Sequence, residues 1–102
     1  NADPNSPANA NNPAFVDQED TFVLYPNPVQ GNAAFINMTL YYSATVTITQ
    51  SFLNGQIMGQ LHKKNYRTGL YNVYIDLLGG PGLYILTIKV NNRFHYLKCL
   101  KM

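Results

Sequence analysis

The side chains able to do chemistry in this chain are few and scattered. It holds two histidines, His62 and His95, one cysteine, Cys99, and five carboxylates. Asp17, Glu19 and Asp20 cluster near the N-terminus, and Asp76 stands apart from them. General acid–base catalysis needs two carboxylates, or a carboxylate and a histidine, converging on one substrate. No such pair is evident in the spacing. Neither histidine stands at a metal-ligand spacing from Cys, Asp or Glu, so each reads as a surface or rim residue. Gly79-Gly80-Pro81-Gly82 carries no following helix signal and no Gly-Lys-Ser/Thr, so it is a chain breaker and does not cradle phosphate. Asn37-Met38-Thr39 fits the glycosylation sequon, a short pattern that a bacterial source would void. We therefore expect no catalysis, no metal and no cofactor.

Composition narrows the classes further. The chain has 102 residues, 12% of them charged, with a net charge of +2. A nucleic-acid binder should present a clustered basic face. The nearest cluster is Lys63-Lys64 with Arg67, which we place in a solvated loop, so no nucleic-acid partner is expected. No apolar run is long enough for a helical membrane span, and no signal peptide opens the chain. It begins on Asn, which suggests a piece of something longer whose own leader would not be visible. With one cysteine no intrachain disulfide can form. The apolar neighbours Leu97 and Leu100 mark Cys99 as a small buried hydrophobe.

The elements that must position any site are short and β-like. Residues 1–20, "NADPNSPANANNPAFVDQED", are rich in Asn, Ala, Pro and Asp and have almost nothing to bury. Such a segment cannot offset its ordering entropy and is expected to be a flexible linker. Residues 21–102 then form the folded unit. Strand-like runs fall at Phe22–Tyr25, Ala33–Leu40, Thr45–Phe52, Gln56–His62, Leu70–Leu77, Leu83–Val90 and Phe94–Leu100. Val46 and Ile48 alternate with threonines, and Val73, Ile75 and Leu77 alternate with Tyr74 and Asp76, as half-buried strands should. Leu83–Val90 is apolar on both faces over most of its length, which suits a central strand. Asn54-Gly55 signals a two-residue hairpin, and Asn91-Asn92 a second tight turn, because Asn tolerates positive φ. About seven short strands joined by short turns predict an all-β, immunoglobulin-like antiparallel β-sandwich. The Cys and Trp signature of true immunoglobulin domains is absent.

Between the first two runs lies "LYPNPVQGN", Leu24 to Asn32. Proline lacks an amide donor and fixes φ, so Pro26 and Pro28 belong at a strand end or sheet edge. Each drives its preceding residue, Tyr25 or Asn27, toward extended backbone, and Gly31-Asn32 then supplies a turn.

Taken in order, these features resemble the C-terminal sorting domain of cargo proteins of the bacterial type IX secretion system. The resemblance covers Phe22 to Met102. A short strand runs into Pro26-Asn27-Pro28, with Gly31 behind it. A strand–turn–strand unit has Gly55 at its turn. A late strand opens on Gly82-Leu83-Tyr84, and the last strand is hydrophobic with Lys98 and Lys101. Two features depart from the family pattern: Asn54-Gly55 stands where an acidic or polar turn is usual, and the last strand holds Cys99.

The resemblance implies a non-catalytic address. Domains of this family are immunoglobulin-like sandwiches whose parent proteins pass through the periplasm to the outer membrane and cell surface. An outer-membrane translocon recognises the folded domain. A sortase-like peptidase removes it and joins the cargo to anionic lipopolysaccharide. A cut should then fall in the linker, where the chain is extended and accessible. The residues singled out for recognition are Pro26, Asn27, Pro28, Gly31, Gly82, Tyr84, Lys98 and Lys101. The two lysines, lacking an evident folding role, are the expected contacts. The terminal edge strand invites strand addition, and the same edge would let the isolated domain dimerise. Two alternatives stand beside this reading: a family member that keeps its domain at the outer membrane or signals to the export system, and a carbohydrate-binding sandwich. The second would use several of the eight tyrosines as a coplanar aromatic patch.

Overall fold

The computed structural model describes residues 19–102. The expected linker thus lies almost wholly outside the described residues. Seven antiparallel strands follow: β1 (Thr21–Tyr25), β2 (Ala33–Leu40), β3 (Ala44–Phe52), β4 (Ile57–Tyr66), β5 (Gly69–Asp76), β6 (Gly82–Val90) and β7 (Arg93–Lys101). They form two sheets, a three-stranded one in the order β1-β2-β5 and a four-stranded one in the order β4-β3-β6-β7. The expected sandwich is therefore what the chain builds. A constant-type immunoglobulin sandwich places its fourth strand in the sheet of the first, second and fifth. Here β4 stays beside β3, because the connection between them is a tight hairpin that forces pairing.

That hairpin is longer than the expected two residues. Gly55 N–H donates to the Phe52 carbonyl at 2.9 Å, and Phe52 N–H to the Gln56 carbonyl at 2.9 Å. The loop is thus Leu53-Asn54-Gly55. Only Gly55 takes positive φ, at 92°, and it stands last in the loop, as in the three-residue hairpin that ends on a left-handed residue. At the next hairpin Asn91 does take φ 54°, and Val90 pairs directly with Arg93.

β4 also runs past its expected end at His62. Lys63 and Lys64 pair with Thr47 and Val46, so they lie on a strand and not in a loop. As an edge strand, β4 can hold consecutive exposed lysines at no burial cost, and they discourage pairing with another chain.

The core fills by strict alternation. Leu24, Ile36, Met38, Leu40, Val73 and Ile75 face inward from the small sheet. Val46, Ile48, Leu86, Ile88, Val90 and Cys99 face them from the large one. Each buried aliphatic side chain contributes about 1.5–3 kcal/mol. β6 lies between β3 and β7, which explains its apolar character on both faces. Asp20, placed in the linker by composition, is buried, and its Oδ1 accepts the Tyr41 N–H at 2.8 Å. It fastens the start of β1 to the β2–β3 turn.

Candidate functional site

Antiparallel order puts the β1–β2, β3–β4 and β5–β6 connections and the end of β7 at one pole of the sandwich. The proline motif is the bridge between sheets at that pole. Both Tyr25-Pro26 and Asn27-Pro28 are cis, and the chain passes from the edge of the small sheet to the free edge of β7. Val29 makes a parallel bridge to Lys101. Its N–H donates to the Leu100 carbonyl at 2.7 Å, and its carbonyl accepts the Met102 N–H at 2.9 Å. The Val29 side chain is fully buried. One step earlier, the Asn27 side chain acts as a surrogate strand. Its Nδ2 donates to the Lys98 carbonyl at 3.1 Å, and its Oδ1 accepts the Leu100 N–H at 3.2 Å. Prolines on either side have no N–H to offer the edge, so the amide of Asn27 supplies the polar groups they lack. Gly31, at φ 76°, then turns the chain. No atom lies within 4 Å of where its Cβ would stand, so backbone conformation alone calls for glycine. The Asn32 carbonyl accepts the Leu77 N–H at 2.8 Å, which ties this loop to the β5–β6 connection.

The β5–β6 connection is held by three side chains. Tyr84, two residues into β6, is buried, and its hydroxyl donates to the Gly80 carbonyl at 2.5 Å. This is the tyrosine corner seen in immunoglobulin-like sandwiches, where the hydroxyl returns to backbone a few residues upstream. Gln50 of β3 is fully buried. Its Nε2 donates to the Leu78 carbonyl at 2.9 Å, and its Oε1 accepts the Leu78 N–H at 2.7 Å. The third is Lys101, whose ammonium donates to the Gly79 carbonyl. Gly79 sits at φ 76°, and a Cβ there would come within 2.8 Å of Met58 Cε and 3.0 Å of the Tyr84 hydroxyl.

The eight residues singled out from the sequence therefore meet at or beside one pole. Gly82 pairs with Lys101, which joins the late glycine strand to the terminal one. Pro26, Asn27, Pro28, Gly31 and Lys98 are exposed there. The expectation for Lys101 needs correction. It is buried, only 6% exposed, because odd residues of β7 face the core and its long stem can pack while its head reaches a carbonyl. It is a structural residue, whereas Lys98 projects from the outer face. Val29, Gln50 and Gly79 belong to the site and were not singled out. Gln50 had a signal, since it continues the Val46, Ile48 alternation and so had to be a buried amide with partners.

Elsewhere the polar groups have local explanations, except the buried Nε2 of His95, which has no hydrogen-bond partner among the described residues. His62 Nε2 and the Tyr66 hydroxyl are 2.6 Å apart on β4. Burial, then the charge of Lys64, lowers the His62 pKa. Burial and the neighbouring Tyr71 raise that of Tyr66. The Cys99 thiol is fully enclosed, and burial raises its pKa against the smaller opposing pull of Lys101. His95 packs on Phe22 with ring centroids 4.7 Å apart. On the outer face of the small sheet, Tyr25, Phe35 and Tyr74 make a row. Tyr25 and Phe35 are inclined at 23°, but Phe35 and Tyr74 at 68°, so the three rings do not share a plane on which a sugar could lie. Among the described residues, no group of three or more His, Cys, Asp or Glu could hold a metal ion.

No protein-family model matches this chain, and no curated protein matches it.

Proposed function

We propose that residues 21–102 are a sorting domain of the type IX secretion kind, a folded address that directs its parent through the outer membrane and performs no catalysis. One observation carries this reading furthest. Three of the four sequence elements of the resemblance, all but the Gly55 hairpin, lie far apart in the chain, yet they are mutually bonded at one pole. Asn27 and Val29 hold β7, Gly82 pairs with Lys101, and Tyr84 and Lys101 pin the Gly79–Gly82 turn. A signal that is read as a fold requires such mutual dependence, because the whole motif is presented only when the domain has closed.

On this reading the outer-membrane translocon meets the exposed part of the pole, with Lys98 as a contact and Lys101 as its internal support. A sortase-like peptidase then cuts in the segment ahead of β1, and the cargo is joined to anionic lipopolysaccharide at the cell surface. The test is the location and mass of the parent protein in its own cells. A surface form shortened by the domain supports the cleaved signal. A full-length outer-membrane form supports the retained variant, and a parent found only inside the outer membrane contradicts both.

A further inference from the structure

Among the described residues, the lower half of the free edge of β7 is closed by Asn27 and Val29, and the upper half is left open. Asn27 and Val29 bond the Lys98 carbonyl, both backbone groups of Leu100 and the Met102 N–H. These even-numbered residues therefore turn their backbone groups away from β6. The two-residue period of a strand puts the N–H and C=O of Phe94 and Tyr96 on that same side. Asn27 reaches no higher than Lys98, and β7 ends its sheet.

The two edges of the four-stranded sheet differ in kind. β4 is irregular, with register shifts at Ile48/Thr49 and Gln50/Ser51, and bulges of this sort deter a further strand. β7 pairs with β6 in unbroken register from Arg93 to Lys101. It is a regular template, left open among the described residues from Phe94 to Lys98.

The charge carried by this sheet is one-sided. None of the four strands of this sheet contains Asp or Glu, while Lys63, Lys64, Lys89, Arg93, Lys98 and Lys101 all lie on them. Phe94 is 54% and Tyr96 66% exposed. Lys89 is paired with Phe94 and holds its ammonium 5.9 Å from that ring. Arg93 and Lys98 bracket the two aromatics along the strand. A second copy of the same edge would set two such cationic strands side by side with no carboxylate on either sheet to offset them, and like charges brought close across strands are destabilising.

We propose that the Phe94–Lys98 edge accepts an extended acidic segment of a partner protein as an added strand. Backbone groups of Phe94 and Tyr96 would supply the hydrogen bonds, the aromatics the apolar contact, and Arg93, Lys98 and Lys89 the preference for carboxylates. This surface stands on the edge geometry and holds or fails independently of the export reading.

The test uses the full chain, isotope-labelled, with a blocked peptide alternating valine and glutamate. Amide exchange is followed residue by residue. The acidic peptide should slow exchange at Phe94 and Tyr96, and Lys98→Glu should weaken it roughly tenfold, about 1.4 kcal/mol. The same peptide with lysine for glutamate, or with one edge N-methylated, should give no protection. Absence of protection overturns the proposal, as does equal protection by the lysine peptide. Slow exchange at both amides without peptide also overturns it, whether independent of protein concentration or rising with it through self-pairing. Protection given only by phosphatidylglycerol vesicles would do the same, since it points to a lipid surface.

Discussion

The side chain of Asn27 takes the place of a neighbouring strand beside Leu100, accepting its N–H at 3.2 Å while donating to the Lys98 carbonyl. A single amide, flanked by two prolines that cannot donate, thereby closes part of a sheet edge that the described residues otherwise reach at Val29. Asn27→Ala would leave both backbone groups to water. Because the site is exposed, the expected loss is about 1 kcal/mol, which lowers Tm by roughly 4–8 °C for a domain of this size. Amide exchange at Leu100 should quicken selectively. Unaltered exchange there would show that the surrogate pairing is unimportant in solution.

Gln50 performs the same service in the interior, where water cannot take over as readily. Gln50→Leu keeps most of the volume but strands the Leu78 N–H and carbonyl, at a cost of about 2 kcal/mol. Denaturant titration should show this as a lower midpoint with an unchanged slope. A variant as stable as the parent would mean that Leu78 finds other partners.

Substitutions at Lys98 and Lys101 should separate export from folding. Lys98→Ala, on the outer face, should alter stability by less than about 0.5 kcal/mol. Lys101→Met keeps the buried stem but removes the donor to the Gly79 carbonyl, and should cost on the order of 1–2 kcal/mol. If Lys98 is a contact, its replacement reduces export while the melting curve stays in place. Export loss confined to Lys101→Met and matched by melting would assign Lys101 to the fold and leave Lys98 no part in recognition.

Acid should weaken the domain in part through His62. Its folded pKa lies below the ordinary 6.5, chiefly through burial and further through Lys64. As pH falls below 6.5, the unfolded chain takes the proton first, so the stability contribution is full above that value and declines through the window beneath it. His62→Gln should therefore lose less stability than the parent between about pH 7 and about pH 5. Parallel declines in the two proteins would show that His62 is not a source of the acid sensitivity.

Much of the sandwich was legible because alternation in Val46–Ile48 and Val73–Leu77 is a direct consequence of one-sided burial. The turn at Asn91 was legible for the same kind of reason, since Asn is among the few residues tolerating its φ. The turn at Gly55 is one residue longer than expected, because hairpin length depends on where in the loop the left-handed position falls, and the dipeptide Asn54-Gly55 does not reveal that. The lysines of β4 looked like a loop because composition cannot distinguish an exposed edge strand from a turn. At the pole, Pro26, Pro28 and Gly31 announced a rigid crossing. The bond from Asn27 to Lys98 and Leu100 joins residues far apart in sequence, and only the topology brings them together. The charge of Lys101 points to the surface, but its place on the inward face of β7 decides its burial.

The central claim is that this domain is an address. Its most direct test is the compartment of a periplasmic reporter carrying residues 1–102 at its C-terminus, in a bacterium with a working type IX system and in the same strain lacking the translocon. The account predicts reporter at the cell surface or in the medium in the first strain and retention in the periplasm in the second. Retention in both strains would contradict it.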